Sequence, residues 1–374
     1  MCYGILRTQS PFSLLLFAVD ESANCCHLRA NFSSRARVRE ALSMRTTTRR
    51  LLLASFVACG DALRLPPTAY RTQALARCRG MALCTRTTPM RFVGHRGASH
   101  VRPEQTMAAV MDALDQGLSF ECDLQVLRTS EVVLLHDDTL ERTAAKWSTD
   151  TNATGLDETE YAQLVTAPAS TLSYDELSRV DIGSWFDTAH SEERVPLFSQ
   201  ALQALKETGG DACCFAELKS VDDKEDGTAS MPESDRQLVE AAVAVAGETG
   251  LRAEQLTWIS FSRAVACEAK RRMPEHNSLL IKHAQTSEAA WQAARDCVEY
   301  GLDGIDLECD AAVVTPELVA WMHARGKLVA VWVWRAPAAN DTPEHWAAMR
   351  AAGVDYFTSN LPSELEGVPE RCRA

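Results

Sequence analysis

The sequence predicts a (β/α)8 barrel, and three observations carry that prediction. From Arg91 onward, short β-rich apolar runs alternate with amphipathic helical stretches, the pattern of a parallel α/β architecture. The runs number eight, ending near Gly94, Leu124, Leu218, Phe261, Lys282, Leu307, Trp332 and Thr358. Several deliver ionisable groups at or just past their last residue, where a barrel of parallel strands collects its chemistry.

The first run, Arg91-Phe-Val-Gly94, leads into His95 and Arg96, with glycines on either side of that pair. Helices are expected over 104–116, 197–207, 234–248, 263–272, 287–299, 316–325 and 343–352. Pro316 and Pro343 stand where a first helical turn tolerates proline. Val132-Val-Leu-Leu-His136 does not fit the alternation, because it follows the run Phe120–Leu127 too closely for a crossover helix. The two should form a hairpin turning near Arg128–Glu131, with residue 123 opposite residue 136 and Glu121 on the face of Asp123. Residues 143–196 carry no strong strand. They read as an insertion over the barrel mouth, with Tyr174–Val180 helical. The acidic, glycine-containing stretch 220–234 reads as a loop.

Three parts follow: an N-terminal region 1–90, the barrel 91–366, and a tail 367–374. Of the 374 residues, the first 90 hold 13 Arg, no Lys and 4 acids, a net of +9. The total of −13 therefore leaves −22 on residues 91–374. So acidic a body argues against nucleic acid as a partner. Met44-Arg-Thr-Thr-Thr-Arg-Arg followed by Leu51-Leu-Leu-Ala-Ser-Phe-Val-Ala-Cys-Gly60 has the basic, apolar and small-residue segments of a cleaved signal. It is too short for a permanent transmembrane helix. The apolar run 12–19 is the alternative signal, and the Arg-rich stretch also resembles an organelle transit peptide. The expected destination is the secretory pathway or outside the cell, or an organelle such as a plastid. The competing reading is a basic arm. Thirteen Cys without a CxxC pair give neither a disulfide framework nor a zinc site, and Cys213-Cys214 read as buried strand residues.

The chemistry starts from Glu121-Cys-Asp123. Two carboxylates two residues apart on a strand share a face, and such crowding is costly without a cation between them. Oxygen ligands favour a hard ion, Mg2+ or Ca2+. Glu217-Leu-Lys219 repeats the pattern: Glu217 can add a third ligand and Lys219 can hold a phosphate oxygen, or the two form a strand-end ion pair. His95 and His136 end apolar runs and can form an acid–base pair, or serve as hydrogen-bonded structural residues. Arg96 offers a planar fork for phosphate, or a salt bridge to Glu104 or Glu121.

In order along the chain, His95-Arg-Gly-Ala-Ser99, Pro103-Glu-Gln-Thr106, Glu121-Cys-Asp123, His136-Asp137, Leu140-Glu-Arg-Thr143, Asp181-Ile-Gly-Ser-Trp-Phe186, Glu193-Arg-Val-Pro-Leu197, Glu217-Leu-Lys219, Ile259-Ser-Phe261, Val331-Trp332, Gly353-Val-Asp355 and Asn360-Leu-Pro362 resemble the glycerophosphodiester phosphodiesterase family. The resemblance covers residues 91–366. It implies a metal-dependent hydrolase on a barrel related to phosphatidylinositol phospholipase C, acting on small glycerophosphodiesters. It implies His95 and His136 as the acid–base pair, and Glu121, Asp123 and Glu217 around a divalent cation. Arg96 and Lys219 would hold phosphate, with Trp332 in the pocket wall.

The sequence departs from the family pattern at Gln105, where asparagine is usual, and at Thr129-Ser-Glu131, which lacks the common Asp-Gly. Val333-Trp334-Arg335 stands for Thr-Val-Asn and Ser359-Asn360 for Thr-Asp. Two other functions share these residues. One is a lysophospholipase D or sphingomyelinase D-like enzyme, with Trp147, Trp185 and Phe186 admitting an acyl chain. The other is a catalytically dead barrel that binds phosphodiesters.

Overall fold

The computed structural model describes three strands between residues 2 and 31 and, in the body of the chain, residues 89–148, 155–220, 231–334 and 339–361. The chain divides into two units, Met1–Met81 and Ala82–Ala374. In the first, β1 (Cys2–Arg7), β2 (Ser13–Val19) and β3 (Cys25–Asn31) form an antiparallel sheet in that order. The run 12–19, weighed as a signal, thus includes its central strand. The segment Met44–Gly60 and the tail 367–374 lie outside the described residues. Among the described residues no helix is long and apolar enough to cross a membrane.

In the second unit, eight parallel strands close into a barrel. They are β4 (Arg91–Gly94), β5 (Ser119–Val126), β7 (Cys214–Leu218), β8 (Leu256–Ser260), β9 (Asn277–Lys282), β10 (Gly304–Glu308), β11 (Leu328–Trp332) and β12 (Tyr356–Ser359). Each pairs with the next, and β12 and β5 both pair with β4, which closes the ring. All eight expected runs are strands, and the class is the (β/α)8 barrel. Side-chain alternation separates two apolar layers. Val93, Phe215, Ile259, Leu279, Ile281 and Ala330 fill the interior, while Phe120, Leu124, Ala216, Trp258 and Leu307 meet the helices. Cys213 and Cys214, neighbours in sequence, are buried in opposite layers.

Among the described residues the helices are α1 (Met107–Asp115), α2 (Glu158–Thr166), α3 (Tyr174–Leu177), α4 (Phe198–Thr208), α5 (Glu233–Thr249), α6 (Arg263–Arg272), α7 (Ser287–Glu299), α8 (Pro316–His323) and α9 (Pro343–Ala352). α7 illustrates why they form. Ala290, Ala293, Ala294 and Cys297 are buried at helical spacing, and the Thr286 hydroxyl caps the first turn by accepting from Ala289 N. α1 is shorter than the expected 104–116. Gln105 adopts φ +57°, off the helical path, and Thr106 becomes the cap. The two residues released, Glu104 and Gln105, turn into the site instead.

The hairpin forms with a register one residue from the expected one. β6 (Val132–Leu134) pairs antiparallel with the end of β5, Leu124 opposite Leu134, and the Asp123 carbonyl accepts from Leu135 N at 3.0 Å. The cause is the turn. Leu127 N donates to the Glu131 carbonyl at 2.9 Å around a three-residue loop, and Ser130 at φ +75° takes its left-handed position. His136 therefore lies past the ladder's end rather than across from Asp123.

The insertion packs on the hairpin in a core distinct from the barrel's. Leu135, Leu140, Tyr161, Leu172, Leu177 and Val180 cluster together with Leu127 and Val133 of the hairpin. Helix α2 within it, closed by an Asp157–Glu160 capping box, lacked any sequence expectation.

Candidate active site

At the C-terminal ends of the barrel strands lies a cavity of about 340 Å³. All eight residues expected to act line it: His95, Arg96, Glu121, Asp123, His136, Glu217, Lys219 and Trp332. No described residue of 143–196 does, so Trp147, Trp185 and Phe186 stand outside its wall. Trp147 packs instead against the core that the insertion shares with the hairpin.

β4 ends so as to bring His95 and Arg96 over the strand ends. A Cβ on Gly94 would lie 2.6 Å from the Gly97 carbonyl, and Gly97 is at φ +78° with Ala109 backbone 2.7 Å from where its Cβ would be. These two glycines let the chain fold back tightly. Between them Arg96 itself adopts φ +59°, a strained conformation for a side-chain-bearing residue. The turn aims Arg96 N at Glu121 Oε2, 2.8 Å away.

Glu121, Asp123 and Glu217 project inward from β5 and β7, and their ligand atoms lie within 4.8 Å of one another, all three residues buried. Burial, then Asp123 and Glu217, push the Glu121 carboxyl well above its usual range. Glu121 Oε1 has no hydrogen-bond partner among the described residues. Burial also raises Glu217, though Lys219 opposes it. Asp123 goes the other way: burial is outweighed by Lys219, His136 and Arg96, which hold it below the usual carboxylate range. Gln105 Nε2 donates to Asp123 Oδ2 at 2.5 Å, and Lys219 Nζ bridges Asp123 Oδ1 and Glu217 Oε1 at 2.8 Å each. Three convergent carboxylates, one oxygen unpartnered, fit a hard divalent cation.

The histidines differ in environment. Asn360 Nδ2 donates to the Trp334 carbonyl, which leaves its Oδ1 to face His95 Nδ1 at 2.9 Å. An amide oxygen only accepts, so His95 Nδ1 carries the proton and Nε2 a lone pair. Burial and the Arg96 charge push this imidazole down to about 3, so it is neutral at physiological pH. His136 Nδ1 donates instead to Asp137 Oδ1 at 2.6 Å. That hydrogen bond, with Arg142 assisting against partial burial, keeps the Asp137 carboxyl well below its normal range.

Sequence reasoning offered the Arg96–Glu104 pair but missed the network that carries it on to His136. Arg96 Nη1 donates to Glu104 Oε1 at 2.7 Å, and Arg142 holds Glu104 through both guanidinium ends at 2.8 Å each. Arg142 Nε donates to Asp137 Oδ2 at 2.5 Å. Arg96 lines the cavity, and of its two readings the salt bridge is the one observed, to Glu104 and, at 3.6 Å, to Asp123. Glu104 and Arg142 fall within the quoted motifs, which was the available signal. Asp306 on β10 was missed too. It lines the cavity, its Oδ1 lacks a partner, and burial with Glu217 nearby raises its carboxyl to about 8. One aspartate in an apolar run gives little warning of that.

Residues 95–364 match the profile of the glycerophosphoryl diester phosphodiesterase family. The chain belongs to that family. A glycerophosphodiester phosphodiesterase of Caldanaerobacter subterraneus subsp. tengcongensis is 24% identical over 274 residues, 73% of this chain and 95% of that protein. The human glycerophosphodiester phosphodiesterase domain-containing protein 5 is 29% identical over 147 residues, 39% of this chain and only 22% of the human protein. Among solved structures, an Oleispira antarctica phosphodiesterase in complex with the product sn-glycerol-3-phosphate superposes with a TM-score of 0.57 at 20% identity, covering 73% of this chain and 94% of that one. At that identity the likeness speaks to the fold, and it agrees with the barrel.

Proposed function

We propose that this family member hydrolyses glycerophosphodiesters to glycerol 3-phosphate and an alcohol with the aid of a divalent cation, Mg2+ or Ca2+. The observation that carries the reading is the convergence of both histidines and three buried carboxylates on one cavity. Glu121, Asp123 and Glu217 would hold the cation, which when bound offsets phosphate charge and stabilises the charge that develops in the transition state.

The chain's own groups supply the rest. His95, neutral and with its lone pair on Nε2, is the base that takes the proton of the attacking hydroxyl, either water's, giving glycerol 3-phosphate directly, or that of the neighbouring glycerol carbon, giving a cyclic phosphate that water then opens to glycerol 3-phosphate. His136, oriented by the ionised Asp137, is the acid that protonates the leaving alcohol. Lys219 has three N–H donors and spends two on Asp123 and Glu217, which leaves one for a phosphate oxygen. Arg96 adds positive charge at the same rim, and Trp332 walls the pocket.

The test is release of glycerol 3-phosphate from glycerophosphocholine and related diesters by the purified protein with Mg2+ or Ca2+. His95→Ala and Glu121→Ala should each lower kcat by about 100-fold or more with the circular dichroism spectrum unchanged. No release with any diester and either metal would sink the proposal, and tight binding without turnover would favour a dead, phosphodiester-binding barrel.

A further inference from the structure

We infer that the aromatic wall of the cavity is a subsite for a quaternary ammonium headgroup, so that choline-bearing glycerophosphodiesters are preferred. The inference rests on the hydrolase reading above and adds the identity of the leaving alcohol.

The cavity is divided by chemistry. The charged groups are joined to one another through Arg96, Asp123, Lys219 and Glu217, while Phe261, His283, Trp332 and Trp334, which also line the cavity, are in ring contact with one another. Phe261, His283 and Trp334 form a pile, with His283 in the middle: its ring lies 4.8 Å from Phe261 at 21° and 5.0 Å from Trp334 at 18°. Trp332 stands edge-on to all three, at centroid distances of 5.7, 5.0 and 5.2 Å.

Trp334 closes the outer end of the pile. At 54% it has the highest exposure of any large apolar side chain among the described residues. Yet it is fixed at two points: Nε1 donates to Glu308 Oε1 at 2.8 Å, and its carbonyl accepts from Asn360 Nδ2 at 2.5 Å. An indole held rigid and wet at a cavity rim offers apolar surface for a ligand to cover. Phe261 and Trp332 lie in motifs that resemble the family, whereas Trp334 lies in the stretch 333–335 that departs from it, so the outer ring of the wall is the part particular to this chain.

Charge decides what would cover it. Glu308 holds one carboxylate oxygen to Trp334 and the other 3.5 Å from His283 Nδ1. It thus offers negative charge more than free acceptors. Beyond Trp334 a second groove continues past Glu308 and Asp310. An inositol or glycerol headgroup needs several directed partners, and a primary ammonium needs acceptors for three N–H groups. A quaternary ammonium has no donors to satisfy, and ring faces beside a carboxylate attract its charge.

The experiment compares kcat/KM for glycerophosphocholine, glycerophosphoethanolamine, glycerophosphoglycerol and glycerophosphoinositol in the full chain, Trp334→Leu and Glu308→Gln. The unaltered chain should favour the choline diester over the glycerol diester by about two- to thirtyfold. Trp334→Leu should bring that ratio close to one, and Glu308→Gln, which keeps an acceptor for Trp334, should lower it by at least half. Free choline should compete at lower concentration than its neutral isostere 3,3-dimethylbutanol, a comparison that needs no variant to fold. Equal potency of those two, or preference for a polyol headgroup, overturns the inference while leaving hydrolysis intact. Absence of turnover on all four diesters instead overturns the hydrolase reading.

Discussion

Asp306 shows what a buried carboxyl does when its partner is missing. In the unfolded chain it ionises near 3.8, whereas in the cavity wall it holds its proton to about 8. Between those two pH values the folded state binds more protons than the unfolded state, so stability falls as pH rises. The displacement corresponds to at most about 6 kcal/mol, and water entry with local relaxation reduces it several-fold. Asp306→Asn keeps the shape without the ionisation. It should stabilise the protein by about 1–3 kcal/mol at pH 8 and have little effect near pH 4, as read from urea unfolding at both. His95 contributes with the opposite slope. Its folded-state value is depressed to about 3 from 6.5, so stability is lost as pH falls through that window. Neither environment was legible beforehand, because burial and partners come from distant strands.

The hairpin is the element where local chemistry and the expected pairing diverged. Apolar alternation correctly brought β6 against β5, since a gap so short allows only a hairpin. Alternation does not count turn residues, however, and Ser130 in the left-handed region fixes a register one residue away. A serine there costs about 1 kcal/mol of backbone strain, against roughly 0.5 kcal/mol of extra unfolded-state entropy if glycine replaces it. Ser130→Gly should therefore raise stability by about 0.5 kcal/mol. Thermal melting reports it, and a decrease would mean that the strain is not where the turn places it. The insertion was legible as a long irregular segment but not as a body that shares a core with the hairpin, because Tyr161, Leu172 and Val180 are too scattered to show a period.

At the scale of the whole molecule, the barrel was the most legible feature. Eight apolar runs, seven helical stretches and the first-turn prolines all pointed to one architecture, and the runs became its strands. The site was legible as residue types and their order. Of its hydrogen-bond partners, Glu104 was legible for Arg96, eight residues away, whereas Asn360 for His95 and Arg142 for Glu104 were not, since they join positions far apart in sequence. The acidic surplus of residues 91–374 also has a kinetic consequence. An anionic diester approaches a like-charged body, whereas glycerophosphocholine, a zwitterion, does not. Raising salt from about 10 to 150 mM should increase kcat/KM for glycerophosphoglycerol and leave the choline diester nearly flat. A fall for the anionic diester would mean that the local cations, not the body, govern its approach.

The charged chain Arg96–Glu104–Arg142–Asp137 alternates in sign from a barrel strand end and finishes on the hydrogen bond from His136 beside the hairpin arm. Each interior member balances two neighbours, so removing one strands both. In mutational terms the chain is epistatic: the costs of changing Glu104 and Arg142 will not add, and the pair changed together will be milder than the sum. A change in Glu104, at the middle of the chain, is therefore felt both at Arg96 on the barrel strand end and, through Arg142 and Asp137, at His136.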